Sequence, residues 1–157
     1  MVGLFRRRRI SRGPFLIIGR ERGGLALDTA FRRSGGHPVL WPAHALPHQL
    51  WYFRKTQHDG EYLIASVDNG TVLDAGAGGD MGRPLVISSQ YGAPHQRWRW
   101  LPTDDATAFL IESVGTGHVL DIPHDAGLKT KTTPVLWERH WGTNQQFLIV
   151  TPSSGPV

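Results

Sequence analysis

A chain of 157 residues with 39% hydrophobic and 10% aromatic side chains can close one sizeable core. The absence of cysteine excludes disulfides and thiolate metal ligands, and no run approaches the 18 consecutive apolar residues of a membrane-spanning helix. A net charge of +4 suggests a nucleic-acid binder, but Arg6, Arg7, Arg8, Arg9 and Arg12 precede Pro14 with no acid among them, so the remainder is slightly acidic. That remainder lacks the basic, aromatic-interleaved stripe of a folded nucleic-acid reader.

In chain order, residues 1–12 read as a solvated basic arm. The segment Met1 to Pro14 has no apolar core leading to a small-residue cleavage site, so the expectation is a chain that is cytoplasmic or exported by a route other than the general secretory one. The run Arg6 to Arg9 is suited to a polyanion, an anionic lipid surface or an acidic protein face, by salt-sensitive contacts without base reading.

Three copies of one unit follow. Phe15-Leu16-Ile17 returns as Tyr62-Leu63-Ile64 and Phe109-Leu110-Ile111, 47 residues on each time. Leu27-Asp28, Leu73-Asp74 and Leu120-Asp121 come next, at intervals of 46 and 47 residues. Gln49-Leu50-Trp51, Gln96-Arg97-Trp98 and Gln145-Gln146-Phe147 close the copies, with Gln-to-Gln intervals of 47 and 49. Within a copy, short β-branched or aromatic runs flank turn residues: Tyr62 to Val67, Asp68-Asn69-Gly70, then Thr71 to Leu73. Gly23-Gly24 and Gly115-Thr116-Gly117 occupy the matching turns. This is a hairpin signature, and eleven prolines and nineteen glycines leave no stretch with helical periodicity. The expectation is an all-β chain of about a dozen short strands. Three units are too few for a propeller of four to eight blades, but they can pool one hairpin each into a cap over a small barrel, a β-trefoil with three pseudo-symmetric repeats of about 45 residues. The boundaries read 13–57, 58–105 and 106–150 within a domain spanning 13–150, followed by a tail over 151–157.

The triple Gln-x-Trp/Phe ending, preceded by Leu-Asp and Leu-Trp, resembles the ricin-type lectin domains over residues 13–150. The resemblance implies a trefoil binding galactose, xylose and related sugars through up to three shallow pockets. In each, an Asp accepts hydrogen bonds from sugar hydroxyls and an aromatic ring covers the apolar face of the pyranose. Repeat three carries Asp121, Trp137, His140 and Asn144 at the matching positions. Repeat one carries Asp28, Trp41 and His44, with His48 in place of the Asn. Repeat two keeps Asp74 and His95, but Ser88 stands where the others have Trp, with Tyr91 nearby, and is expected to be weak or silent. Two family features are missing: Val39 and Val135 stand where many relatives have Gln, and Ala26 with Ala43, Val72 with Gln90 and Val119 with Arg139 stand where relatives commonly have disulfides.

The Gln-x-Trp endings themselves read as structure. Strand alternation would put Gln49 and Trp51 on one face, send Trp51, Trp98 and Phe147 into the core, and turn His48, His95 and Asn144 outward. The competing reading of the three Asp residues is a local turn bonded to backbone. No histidine pair shows metal-binding spacing on a helix, and no nucleophile, base and orienter can be assembled, so neither a metal, a cofactor nor an enzymatic activity is expected. The leading reading is a carbohydrate-binding module with glycans or glycoconjugates as partners. The alternative is a structural or assembly adaptor, a subunit of a larger assembly, whose arm attaches to an acidic partner.

Overall fold

Runs of leucine, β-branched and aromatic residues, cut by glycine, proline and Asx turns, form short strands because each can bury only one face before the chain must reverse. The computed structural model describes residues 13–21, 24–124 and 131–152. The arginines Arg6 to Arg9, and Gly23 of the first expected turn, lie outside the described residues. Twelve strands are found among those described: β1 (Leu16–Gly19), β2 (Ala26–Asp28), β3 (Val39–Trp41), β4 (Trp51–Lys55), β5 (Tyr62–Ser66), β6 (Val72–Asp74), β7 (Val86–Ser88), β8 (Trp98–Pro102), β9 (Ala108–Ser113), β10 (Val119–Asp121), β11 (Val135–Trp137) and β12 (Phe147–Val150).

Six of these close a barrel. Antiparallel pairing runs β1 to β12, β12 to β9, β9 to β8, β8 to β5 and β5 to β4, and a bridge between Phe15 and Trp51 returns the ring to β1. Full closure removes exposed sheet edges. The other six form three hairpins, β2 with β3, β6 with β7 and β10 with β11, each attached to the barrel through β1, β5 or β9. Backbone hydrogen bonds stitch neighbouring hairpins into a cap, as between Leu40 N and Thr132 O (2.9 Å) and between Leu136 N and Arg83 O (2.9 Å). The chain is thus a β-trefoil.

The recurring apolar landmarks become symmetry-related core. Ile17, Ile64 and Ile111, with Leu27, Leu73 and Leu120 and with Trp51, Trp98 and Phe147, belong to one buried cluster. An indole can be buried only if its N–H finds an acceptor. Trp51 Nε1 donates to Leu27 O and Trp98 Nε1 to Leu73 O, both at 3.1 Å; Phe147 removes the donor altogether.

The alternation expected across Gln-x-Trp is not what positions the glutamine. Gln49, Gln96 and Gln145 each end a 3-10 turn, Pro47–Gln49, Pro94–Gln96 and Thr143–Gln145, and one extended residue separates that turn from the strand. Glutamine and aromatic are both buried, but the residue before the glutamine is not flipped outward as it would be in a strand. His48 and His95 are only partly exposed, and Asn144 is buried with 2% of its surface accessible.

Replacing Trp98 by Ala should lower unfolding free energy by about 3–5 kcal/mol, as large aromatic truncations in cores do. Trp98→Phe should cost less than half as much, because repeat three already folds around Phe147. Urea denaturation measures both, and equal losses would place the cost in the Leu73 hydrogen bond rather than in the cavity.

Candidate functional site

Each repeat places its Leu-Asp carboxylate at the end of the inner cap strand, where the 3-10 turn of the same repeat closes over it. A carboxylate so deeply covered must be hydrogen-bonded. One partner is constant: Gln49 Nε2 donates to Asp28 Oδ2 (3.1 Å), Gln96 Nε2 to Asp74 Oδ2 (3.1 Å) and Gln145 Nε2 to Asp121 Oδ2 (2.9 Å). The second Nε2 hydrogen goes to the carbonyl of Pro42, Ser89 or Glu138 at 2.9–3.0 Å. The amide oxygen accepts two successive backbone N–H groups: His44 and Ala45, Tyr91 and Gly92, or His140 and Trp141. One buried carboxamide therefore fixes the Asp rotamer and the loop opposite it in all three repeats.

The second carboxylate oxygen shows how the repeats differ. Asp28 Oδ1 accepts the N–H of Ala30 (2.6 Å) and Asp74 Oδ1 that of Gly76 (2.7 Å), so the turn role weighed against the pocket role is also fulfilled here. Two residues beyond Asp121 stands Pro123, which has no N–H. Asn144 supplies the missing donor, giving its Nδ2 hydrogens to Asp121 Oδ1 and Ile122 O, both at 3.1 Å. The expectation that Asn144 faces outward is corrected on this ground: proline removes the local donor, and the amide turns in to replace it.

The residue five before the glutamine sets the mouth of each pocket. Leu46 N donates to His44 Nδ1 (3.1 Å) and Gly142 N to His140 Nδ1 (3.0 Å). An N–H can only donate, so each Nδ1 is the bare nitrogen and the proton of the neutral ring sits on Nε2. That Nε2–H lies 3.8 Å from Asp28 Oδ2 in repeat one and 3.6 Å from Asp121 Oδ2 in repeat three. These separations are too long for a direct hydrogen bond, but a hydroxyl lying to one side, about 2.8 Å from each atom, would bridge them, donating to the carboxylate and accepting from the imidazole. In repeat two Tyr91 replaces the histidine and its hydroxyl closes the gap, donating to Asp74 Oδ2 at 3.1 Å and meeting His95 Nε2 at 2.8 Å. Having spent its proton on Asp74, that hydroxyl accepts from His95. Partial desolvation and then the Asp74 charge push the Tyr91 hydroxyl above the ordinary tyrosine value, so it stays a donor.

Asp28 pairs with Val39, and Asp121 with Val135. Trp41 and Trp137, two residues further along, therefore lie diagonally on the same hairpin face as the carboxylate. Trp137 is exposed, whereas Trp41 is partly covered and has the Lys131 ammonium 5.8 Å from its ring centre. Ser88 holds the corresponding place opposite Val72. Phe31 went unnoticed in the sequence. It is 70% exposed, and its ring lies 4.2 Å from that of His48, at the rim of the Asp28 pocket. Ala30 and Phe31 have φ of 54° and 59°, with Arg32 N bonded to Thr29 O, a tight reversal that ordinarily recruits Asn or Gly. With no counterpart in the other repeats, the residue carried no recurrence signal.

Asp28, His44 and His48 also form a set whose ligand atoms lie within 4.8 Å of one another. Helical spacing could not show it, since the two histidines converge through the 3-10 turn at Pro47. The donor set is suited to a transition metal, but the Leu46 hydrogen bond commits the His44 proton to Nε2, the atom that would ligate. A cation would have to displace both that proton and the bond, so the set fits a metal poorly.

Burial pushes the Asp121 carboxyl above the ordinary aspartate value, opposed in turn by the Gln145 hydrogen bond, the nearby His140 and His124, and the Asn144 hydrogen bond.

The sequence profile of the family described as ricin-type beta-trefoil lectin domain-like matches residues 47–137. No curated protein matches the chain. Among solved structures, the designed 3-fold symmetric protein ThreeFoil is similar with a TM-score of 0.79 at 23% identity, over 87% of this chain and 96% of that one. The Macrolepiota procera ricin B-like lectin in complex with lactose gives 0.77 at 21% identity, over 92% of this chain and 99% of that one. An exo-beta-1,3-galactanase from Clostridium thermocellum gives 0.78 at 21% identity over 90% of this chain, which spans only 30% of the galactanase.

Gln145→Glu should cost about 2–4 kcal/mol at neutral pH, since it removes the donor to Asp121 and sets a second carboxylate against it. Both acids would then titrate above their unfolded values, so stability should return as pH falls through that raised range. Thermal melts of variant and wild type between pH 7 and 4 measure this, and parallel pH curves would show that Gln145 does not face Asp121.

Proposed function

The chain belongs to the ricin-type β-trefoil lectin domain-like family, and from that premise we propose that it is a non-catalytic carbohydrate-binding module whose principal pocket is built on Asp121. The observation that carries this reading is the matched pair 3.6 Å apart, an acceptor on Asp121 Oδ2 and a donor on His140 Nε2, beside the exposed Trp137 ring. Water can occupy the same hydrogen-bond positions, so the polar pair alone yields only about 1 kcal/mol for each net bond. The ring adds apolar contact with the C–H face of a pyranose and so selects a sugar over other hydroxyl compounds. Galactose and xylose are the probes of choice.

The three pockets rank by what already occupies the carboxylate. At Asp121 the gap to His140 is open, and the ring is exposed. At Asp28 the gap is flanked by two histidines, with His48 Nε2 also 3.8 Å from Oδ2, and Phe31 rather than the covered Trp41 offers the accessible ring. At Asp74 the Tyr91 hydroxyl holds the place of a ligand hydroxyl, which makes this copy silent.

A shallow pocket with one carboxylate and one ring should bind with Kd of about 0.1–1 mM, or roughly −4 to −5.5 kcal/mol, and multivalent glycans should bind more tightly through several pockets. Titration of galactose and xylose by calorimetry should find most affinity lost in Asp121→Asn and Trp137→Ala, a smaller loss in Asp28→Asn and none in Asp74→Asn. Folded variants alongside a wild type that binds no sugar at millimolar concentration would end the lectin reading.

Acidity gives an independent check. Because burial raises the Asp121 carboxyl, its protonation should weaken binding at a pH above the ordinary aspartate range. The folded state takes up that proton before the unfolded chain does, so the burial penalty acts above the raised pKa and is relieved below it. Affinity should therefore fall on acidification while Asp121 itself does not oppose folding, as sugar titrations paired with circular dichroism at each pH would record.

A further inference from the structure

Beside the Asp121 pocket a cleft of roughly 660 Å³ is lined by Arg20, Pro102, Thr103, Asp104, Asp105, Trp141 and Gln146. We propose that this cleft is a second sugar subsite, seating the pyranose linked to the one held at Asp121. The proposal rests on the reading of the Asp121 pocket given above.

The fold contains its own control. The pseudo-symmetric cleft between the preceding repeats, roughly 500 Å³, is lined by Lys55, Thr56, His58, Gln90, Gly92 and Arg97 among others. Gly92 stands there at φ 78°, and Ala45 at φ 62° in repeat one. Trp141 occupies the same position in repeat three at φ 68°. The backbone there must be left-handed, because its N–H and that of the preceding residue both point at the buried glutamine. Glycine meets that demand without strain, whereas a bulky side chain costs about 1–3 kcal/mol. A large aromatic thus stands where the geometry asks for glycine, and it lines the cleft with 47% of its surface exposed.

The ring is also held in place. Arg139 lies over it at 5.5 Å and is itself anchored to Glu112 at 2.9 Å, while Trp141 O accepts from Gln146 Nε2 at 2.9 Å. Across the cleft, Arg20 pairs with Asp105 at 3.2 Å and bonds to Gln146. Thr107 hydrogen bonds hold the Asp105 carboxyl below the ordinary value, and the exposed Asp104 carboxylate bonds no group of the described protein. Arg20, Asp104 and Asp105 are the charged residues of the lining, and with Arg20 paired to Asp105 a single carboxylate is left over, too little charge to select a polyionic partner. What remains on offer is an aromatic face, a free carboxylate and guanidinium donors, the combination that suits an uncharged polyhydroxylated ring. Continuity comes from the chain: His140 faces Asp121, and Trp141 is the next residue, about 3.8 Å away between Cα atoms.

The test is an indole ¹⁵N NMR titration of the full chain with galactose, lactose, xylose and xylotriose, repeated on Trp141→Gly and Asp104→Ala. Trp141→Gly installs the residue that repeat two already uses, and Asp104→Ala keeps the ring. In the wild type the linked sugars should bind about tenfold more tightly than the monosaccharides, and only they should move the Trp141 resonance. Read at Trp137, that ratio should collapse towards one in both variants. An unchanged ratio with an unmoved Trp141 would overturn the subsite while leaving the Asp121 pocket standing. If no sugar moves either indole, the pocket reading falls and the subsite falls with it. A lysine-rich peptide that moves Trp141 where sugars do not would assign the cleft to a basic protein segment and overturn the proposal.

Discussion

A single buried carboxamide per repeat fixes the aspartate and the facing loop of each of the three pockets. Gln49, Gln96 and Gln145 are wholly inaccessible, and each satisfies four hydrogen bonds at once: one to the pocket aspartate, one to a loop carbonyl and two from loop N–H groups. A buried amide with any of these missing would cost on the order of 1–3 kcal/mol, so the four geometries are coupled. The aspartate cannot rotate without freeing Nε2, and the loop cannot relax its left-handed residue without freeing Oε1. The aromatic two residues later seals the clamp from below as core, and in two repeats its indole N–H ties it to the Leu of the same Leu-Asp pair. The sequence landmarks that recur are thus the parts of one cooperative unit.

Around that constant unit, single substitutions change what each pocket can do. Pro123 deletes a backbone donor and draws Asn144 inward to replace it. Tyr91 is longer than histidine by enough to bond Asp74 directly, converting an open acceptor into a satisfied one. His48, in the position of Asn144, is released from that task because Ala30 retains its N–H, and its ring is free to pack under Phe31. Each difference follows from one donor added or removed, without any change in the strands that carry it.

Repetition made the fold legible. Three landmarks in one order, three times, fixed the number of units, and turn chemistry fixed the hairpins, because both depend on local sequence. The aspartates and the Trp residues were legible for the same reason. Orientation was not. Reading Gln-x-Trp as a continuous strand put Asn144 on the outside, because alternation by twos assumes extended backbone and the 3-10 turn breaks the count. The tautomers of His44 and His140 depend on N–H groups two residues on, and the closure of Asp74 depends on the reach of Tyr91; neither is visible before the loop is folded. Phe31 and Trp141 escaped because each occurs in one repeat only, and a search for recurrence passes over what is unique.

Backbone strain is distributed in a way that recurrence alone would not suggest. Among the described residues, non-glycine residues with positive φ are Ala30, Phe31, Ala45, Lys131 and Trp141, all in repeats one and three. Repeat two makes the matching bends with Gly76 and Gly92, at φ 80° and 78°. The copy whose carboxylate is closed by its own tyrosine is therefore also the copy with relaxed loops. Strain of about 1–3 kcal/mol per residue is large against the stability of a domain this size. Among the described residues it falls in the two copies whose carboxylates no tyrosine closes, and at two of the five positions the strained residue is an exposed aromatic, Phe31 or Trp141. At Ala45 and Trp141 the glutamine clamp makes the bend tolerable, because the hydrogen bonds that force it end on a buried amide and do not depend on which side chain the bend carries.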